Sequence, residues 1–124
     1  MTTQNTIFEL IGGQAAVERI TTSLYTHIGQ NKQLLEIFPE DLNESARKQR
    51  LFLTQFFGGP ALYAEERGAP MLRRRHLPFE ITPERARQWL YCMDLALDEA
   101  KIQEPYRTQI FDRLTQVGTH MINS

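Results

Sequence analysis

The sequence predicts an all-α protein. Its apolar residues recur at steps of three and four, as on one face of a helix, rather than alternating as in a half-buried strand. Glycine, proline and capping side chains separate these helical stretches, and strand signals are weak. Apolar residues make up 41 % of the 124 residues, which is enough for one core, so we expect a single domain over residues 1–124.

The first long helix follows the Gly12-Gly13 pair and ends near Gly29. Its apolar stripe has helical spacing and consists of Ala16, Val17, Ile20, Leu24 and Ile28. A short apolar patch, residues 34–38, then ends at Pro39. Because proline restricts the residue before it, we expect Phe38 to lie at a corner of the chain.

The next helix opens around Asp41 to Glu44, whose carboxylates suit the positive end of a helix dipole, and it runs to Phe57. From there to Leu72 the chain is rich in glycine, proline and charge, and we expect most of this segment to be ordered loop. A short helical piece, about residues 70–77, ends at Pro78.

Two further long helices complete the chain. Thr82-Pro83-Glu84 is a good helix start, because a capping hydroxyl precedes a proline at the first helical position. The inward residues of this helix are Ala86, Trp89, Leu90, Met93 and Leu97. Pro105 starts the last helix, whose inward residues are Ile110, Phe111, Leu114, Val117, Met121 and Ile122.

Charge and hydropathy exclude several classes of protein. Fourteen basic and fifteen acidic residues give a net charge of −1, so no overall field attracts nucleic acid or anionic lipid. No run reaches the roughly 18–20 apolar residues of a membrane span, and the polar stretch from Met1 to Thr6 does not resemble a signal peptide. The single cysteine, Cys92, suits a reducing compartment. We therefore expect a cytoplasmic protein that binds neither nucleic acid nor membranes.

Polar side chains on apolar helix faces are candidates for a binding site, because an unpaired buried polar group costs about 1–3 kcal/mol. One face of the helix after Asp41 grades from polar to apolar and reads Ser45, Lys48, Gln49, Phe52, Leu53 and Phe56. This face is either the floor of a pocket or an ordinary helix that runs out to solvent. Likewise, Tyr25 and Trp89 are either core residues or donors that converge with Gln49 on a ligand.

His76 differs from His27 and His120, which fit surface or boundary positions. It follows three arginines, residues 73–75, and precedes an apolar segment. No second histidine, cysteine or carboxylate stands at ligand spacing, so His76 is either structural or a metal ligand beside a cofactor that supplies the other ligands, as a porphyrin does. The arginines fit a solvated face, a phosphate site, or a clamp for a carboxylated ligand such as haem, which has two propionates.

Taken together, these motifs resemble those of the group II truncated haemoglobins, a short branch of the globin superfamily. The resemblance covers Ile7 to Asn123, and its motifs are ordered as Gly12-Gly13, Tyr25, Phe38-Pro39-Glu40-Asp41, Phe52-Leu53-Thr54-Gln55, Gly58-Gly59-Pro60, Tyr63, residues 71–76, Pro78-Phe79, residues 89–93 and residues 120–123. Each motif alone is weak evidence. The ordered set is specific, because the arginines lead into His76 and Trp89 follows thirteen residues later.

The resemblance implies a truncated globin fold, a two-on-two sandwich of helices around haem b, with His76 as the proximal iron ligand. It implies distal donors to a bound gas at Tyr25, Gln49 and Trp89. Phe38 is expected against the porphyrin, and the residues expected near the propionates are Ser45, Lys48, Tyr63 and Arg75. The haem wall is expected to contain Phe52, Leu53, Leu72, Phe79 and Met93.

Two positions depart from the family pattern that the resemblance supplies. Some members have tyrosine where this chain has Phe38, so one hydrogen bond to a bound gas is absent. Ser45 stands where many globins carry a distal histidine, so the acid–base role that a distal histidine has in ordinary peroxidases is not expected in this chain.

Three functions follow as hypotheses. The first is reversible binding of oxygen or another diatomic gas at haem iron. For this function we expect a monomer or weak homodimer, with a reductase as its partner. The second is a haem enzyme for NO detoxification or peroxide-dependent oxidation. The third is a cofactor-free helical interaction module that uses the arginines at 73–75 as its contact patch.

Overall fold

The computed structural model describes residues 5–124, and this part of the chain forms eight α-helices and no strand. The helices are α1 (Ile7–Leu10), α2 (Gly13–Ile28), α3 (Lys32–Leu35), α4 (Leu42–Phe56), α5 (Leu62–Arg67), α6 (Leu72–His76), α7 (Pro83–Glu99) and α8 (Tyr106–Met121). The all-α prediction is therefore confirmed. The prediction that the stretch from Met1 to Thr6 is not a signal peptide falls largely on residues 1–4, which lie outside the described part.

Four long helices form the frame of the molecule. Helix α2 packs against both α4 and α7, and α7 packs against α8. The pairs α2/α4 and α7/α8 are thus joined through α2 and α7, which is the two-on-two arrangement that the resemblance implies. The predicted stripe of α2 lies at the centre and is fully buried; it consists of Ala16, Val17, Ile20, Leu24 and Ile28. Of the helices in residues 5–124, none has the length and apolar character to cross a membrane.

Side-chain caps mark the starts of two of the long helices, α4 and α7. Asp41 accepts a hydrogen bond from the backbone N–H of Asn43 at 2.9 Å, immediately before α4 begins. Thr82 accepts one from the backbone N–H of Arg85 at 3.1 Å, and Pro83 is the first residue of α7. Both caps satisfy N–H groups that the helix itself leaves unpaired, so these predicted starts are confirmed.

The segment between α4 and α6 differs from the prediction. It was expected to be mostly loop, but residues 62–67 form α5. Six residues are too few to show a helical period in the sequence, and the surrounding glycines and prolines hide them further. The helix is held from outside, because the side chain of Gln55 on α4 accepts a hydrogen bond from the backbone N–H of Ala64 at 2.8 Å.

Candidate functional site

A cavity of about 390 Å³ is lined by residues from each of the helices α2 to α8 and from the segments between them. This volume is within the usual range for small-molecule sites. The predicted site residues that line the cavity are Tyr25, Phe38, Ser45, Lys48, Gln49, Phe52, Tyr63, Leu72, Arg75, His76, Phe79 and Trp89. Four of the six residues on the polar-to-apolar face of α4 therefore line a cavity rather than an ordinary solvent-facing surface.

His76 reaches the cavity from the end of α6. Its Nδ1 lies 2.7 Å from the backbone carbonyl oxygen of Leu72, one turn earlier in the same helix. Because a carbonyl oxygen only accepts hydrogen bonds, Nδ1 carries the proton and donates it. In the neutral imidazole this tautomer leaves a lone pair on Nε2, which is able to ligate a metal ion. Within residues 5–124, no group of three His, Cys, Asp or Glu side chains is arranged to hold a metal ion by itself.

Three hydrogen-bonding side chains, Tyr25 from α2, Gln49 from α4 and Trp89 from α7, line the same cavity as His76. The ring of Tyr25 meets the ring of Phe38 edge to face, with 6.2 Å between centroids. Burial raises the pKa of the Tyr25 phenol, and the positive charge of Arg50 offsets only part of this effect. Tyr25 therefore stays protonated at neutral pH and remains a hydrogen-bond donor.

Two arginines stand beside Tyr63 at the cavity, and one of them is already engaged. The Arg75 guanidinium lies 5.7 Å from the centre of the Tyr63 ring, and that of Arg67 lies 5.9 Å from it. Nε of Arg75 donates to the carbonyl oxygen of Pro70 at 2.8 Å, and Nη2 donates to that of Arg67 at 2.8 Å. Arg75 thus binds the backbone that connects α5 to α6, in addition to lining the cavity.

Arg67 is a cavity residue that the sequence analysis did not select. Its Nε is buried and has no hydrogen-bond partner among residues 5–124. A buried N–H without an acceptor is costly, particularly in a charged group, so this atom marks a place where a ligand acceptor would be stabilised. The sequence offered no signal for this role, because Arg67 lies in the segment that was expected to be loop.

Leu53 and Met93 do not line the cavity, in contrast to their expected place in its wall. Both side chains are fully buried in the hydrophobic core. They lie on α4 and α7, the two long helices that pack against α2. Leu53 is next to the cavity residue Phe52, but successive residues of a helix point about 100° apart, so one faces the cavity and the other the core.

Further apolar residues complete the cavity wall and were predicted only as inward or core positions, or not at all. They come from the α3 region, from the start of α7 and from α8, and are Leu34, Ile37, Pro39, Ile81, Ala86, Leu114, Val117, Gly118 and Met121. Their periodicity indicates burial, but it does not distinguish packing against a protein core from packing against a ligand.

Comparison with known proteins gives concordant results for family and fold. The chain matches the family model for bacterial-like globins over residues 6–123. It is 46 % identical over 119 residues to the group 2 truncated hemoglobin YjbI of Bacillus subtilis, covering 96 % of this chain and 89 % of that protein. The crystal structure of the group II truncated hemoglobin from Bacillus anthracis superposes with a TM-score of 0.97 at 48 % identity, covering 99 % of this chain and 95 % of the other. The hemoglobin of Chloroflexus aurantiacus superposes with a TM-score of 0.95 at 41 % identity, covering 98 % and 100 % of the two chains.

Proposed function

The chain belongs to the bacterial-like globin family, and within it to the group II truncated haemoglobins, and from this premise we propose that its cavity holds haem b on His76 and binds a diatomic gas. Membership of this family implies binding of haem and of diatomic gases such as oxygen. We propose in addition which residues bind the haem and the gas, and that the haem is of the b type.

The residues of the cavity fit a haem group in three respects. His76 offers a lone pair on Nε2, because Nδ1 is engaged by Leu72. The buried Nε of Arg67 has no acceptor among residues 5–124, and a propionate would supply one. Phe79 lines the cavity and is nevertheless 43 % exposed, so a flat apolar ring bound against it would remove apolar surface from water.

Haem, when bound, supplies an iron atom with an open coordination position for a diatomic gas. We propose that His76 holds the iron through Nε2, while the carbonyl oxygen of Leu72 fixes the tautomer and the orientation of the imidazole. The residues proposed to face the two carboxylates of the group are Ser45, Lys48, Tyr63, Arg67 and Arg75.

Tyr25, Gln49 and Trp89 are the proposed donors to the gas ligand. Fixed donors in a pocket sheltered from water stabilise a ligand that acquires partial negative charge. Each such hydrogen bond contributes about 0.5–1.5 kcal/mol, so two of them would slow release of the ligand roughly tenfold to a hundredfold. Slow release suits a sensor, a scavenger or a redox catalyst better than an oxygen carrier.

The observation that carries the proposal is that His76, with a free Nε2, lines the same cavity as these three donors. The test is the absorption spectrum and the haem affinity of the ferrous, haem-loaded protein and of its His76→Ala variant. We expect His76→Ala to lose the spectrum of histidine-ligated haem and to release haem faster. A matched control is His27→Ala, since His27 bonds Glu99 at 2.6 Å outside the cavity. An unchanged ferrous spectrum and haem affinity in His76→Ala would contradict the ligand assignment.

The remaining parts of the first hypothesis stay predictions: a reductase that keeps the iron ferrous, a monomer or weak homodimer, and a cytoplasmic location. The second hypothesis, NO detoxification or peroxide-dependent oxidation, also stays a prediction, because hydrogen-bond donors such as Tyr25 and Trp89 would serve reversible binding and turnover alike. Family membership argues against the third hypothesis of a cofactor-free interaction module.

A further inference from the structure

Asn123 is hydrogen-bonded to the segment that follows His76. Its Nδ2 donates to the backbone carbonyl oxygens of His76 at 3.2 Å and Phe79 at 2.9 Å. Its Oδ1 accepts from the backbone N–H of Ile81 at 2.9 Å, and its own backbone N–H donates to the carbonyl oxygen of Ile81 at 3.0 Å. One amide therefore binds three points of the connection between α6 and α7.

Two neighbouring contacts reinforce this junction. Nη1 of Arg73, on α6, donates to the carbonyl oxygens of His120 at 2.6 Å and Ile122 at 2.9 Å, where α8 ends. These carbonyls lack partners within the helix, so Arg73 acts as a side-chain cap of α8. The hydroxyl of Ser124 donates to a carboxylate oxygen of Glu80 at 3.2 Å. Together, these bonds of Arg73, Asn123 and Ser124 join α6 and the segment after it to the end of α8.

Helix α6 needs such outside support, because it has only five residues. A helix of this length is not stable by itself, and α6 also begins without a side-chain cap, at Met71. Beyond His76 the chain is exposed, with Leu77 56 % and Phe79 43 % accessible. Arg75 anchors the chain before α6, through the carbonyls of Arg67 and Pro70, and Asn123 anchors it afterwards.

We propose that Asn123 is a positioning residue for the proximal histidine, an inference that rests on the proposed function of His76. The imidazole is tied to its own helix through Leu72, so any shift of α6 moves the ring with it. Asn123 holds the carbonyl of His76 itself and thereby fixes the end of the helix from which the ring projects. Nε2 of His76 is therefore held in one orientation toward the iron, and the protein loses haem more slowly than it would without these bonds.

The test uses the haem-loaded full chain and two substitutions, Asn123→Asp and Asn123→Ala. Asn123→Asp keeps the shape and the acceptor for Ile81 but loses both donations by Nδ2, so it decides the question if Asn123→Ala does not fold. The readouts are the iron–histidine stretching band of the ferrous, gas-free protein, the rate of haem transfer to excess apomyoglobin, and the Tm. We expect the band to broaden and move to lower frequency, and haem to be lost about three to ten times faster, the effect of one or two hydrogen bonds.

The matched control is Asn31→Ala. The Asn31 side chain donates to Gln88 at 2.8 Å and accepts from the backbone N–H of Leu34 at 3.1 Å, so its loss removes a comparable amide contact between α3 and α7. We expect this variant to lower the Tm while leaving the band unmoved. If the Asn123 variants lower the Tm but keep the band and the haem-loss rate of the unmodified protein, Asn123 is only structural and the inference fails. If the unmodified protein itself shows no iron–histidine band, the proposed function fails as well.

Discussion

His76 and Arg75 are neighbours on α6, yet their hydrogen bonds give them different roles. The proton of His76 is on Nδ1, bonded to Leu72, which leaves Nε2 for a ligand. Arg75 has two nitrogens bonded to the carbonyls of Arg67 and Pro70, whereas Arg67 keeps a buried Nε without an acceptor among residues 5–124. Nε2 of His76 and Nε of Arg67 are therefore available to a ligand, whereas Arg75 has only its remaining nitrogen to offer beside its backbone contacts.

Tyr25→Phe tests whether Tyr25 donates a hydrogen bond to the bound gas. Removing the hydroxyl leaves the ring packed against Phe38 but removes one donor to the gas. We expect gas release from the ferrous, haem-loaded protein to become about tenfold faster. The measurement is stopped-flow displacement of oxygen, with Tyr91→Phe as control, because Tyr91 is 60 % exposed. Equal release rates in Tyr25→Phe and the unmodified protein would remove Tyr25 from the set of donors.

The raised pKa of Tyr25 predicts a pH dependence. Since burial favours the neutral phenol, Tyr25 should donate unchanged from pH 7 to about 10, where an exposed tyrosine is half ionised. A folded-state pKa above the unfolded value gives stability that is complete below about pH 10 and is lost as the pH rises further. We expect flat gas-release rates over this range, followed by a fall in the free energy of unfolding that Tyr25→Phe lacks. A Tyr25-dependent change in rate at pH 8–9 would contradict this.

Arg67→Met tests whether the buried Nε of Arg67 binds a carboxylate of haem. Without this cation, one propionate loses a charge-assisted hydrogen bond, and we expect haem to be lost about tenfold faster. The dimethyl ester of haem has no carboxylates, so its loss should be the same with and without the substitution. Arg113→Met is the control, since Arg113 lies 4.3 Å over the Phe56 ring and is not among the cavity residues. Faster loss of haem and ester by the same factor would assign Arg67 a packing role only.

Helices α5 and α6 show how short elements depend on their surroundings. Each has six residues or fewer and neither begins with a side-chain cap. The two helices are held instead by long side chains: Gln55 bonds the backbone of α5, and Arg75 bonds the connection between them. Since α6 carries His76, the position of the proposed iron ligand is determined by tertiary hydrogen bonds rather than by helix propensity.

Arg75→Met tests the connection between α5 and α6. The substitution removes the donors to the carbonyls of Arg67 and Pro70, and we expect the free energy of unfolding to fall by about 1–3 kcal/mol. In a protein of this size that corresponds to a Tm lower by about 5–10 °C, measured by circular dichroism. The control on the same helix is the exposed Arg74→Met, which should change the Tm little. If both variants melt together, Arg75 does not hold the connection.

For the molecule as a whole, the cavity lies among seven helices, while α2 packs at the centre of the core. The core around α2 is continuous, because the α2 stripe packs with side chains of α4 and α7. The cavity side is different, since Phe79, which lines the cavity just after α6, leaves apolar surface exposed. A bound group should therefore stabilise the α5–α6 side more than the α2 core.

Removal of haem tests whether a bound group stabilises the α5–α6 side more than the α2 core. Haem present at a thousand times its Kd adds about 4 kcal/mol to the free energy of unfolding, so the haem-free protein should melt about 10–20 °C lower. Calorimetry measures the difference in Tm. Hydrogen exchange should show lost protection in residues 67–81 while amides of α2 stay protected. Equal Tm values, or loss of protection throughout α2, would show that the cavity and the core are not independent in this way.

The long helices, their buried faces and the caps of α4 and α7 were predictable from the sequence, because a 3.6-residue period and a capping side chain are local properties of the chain. The ordered motifs also indicated His76, Tyr25, Gln49 and Trp89 as residues of one site, and all four line one cavity. What a local pattern does not contain is the distance between residues far apart in the chain.

Features that depend on such distances appear only in the folded chain. The tertiary structure placed Leu53 and Met93 in the core rather than on the cavity wall, and it revealed the unengaged Nε of Arg67. It also brought Asn123 to the backbone of His76, 47 positions away. A helical period indicates that a face is buried, but the neighbouring elements determine whether that face meets a helix, a ligand or the carbonyl of a distant residue.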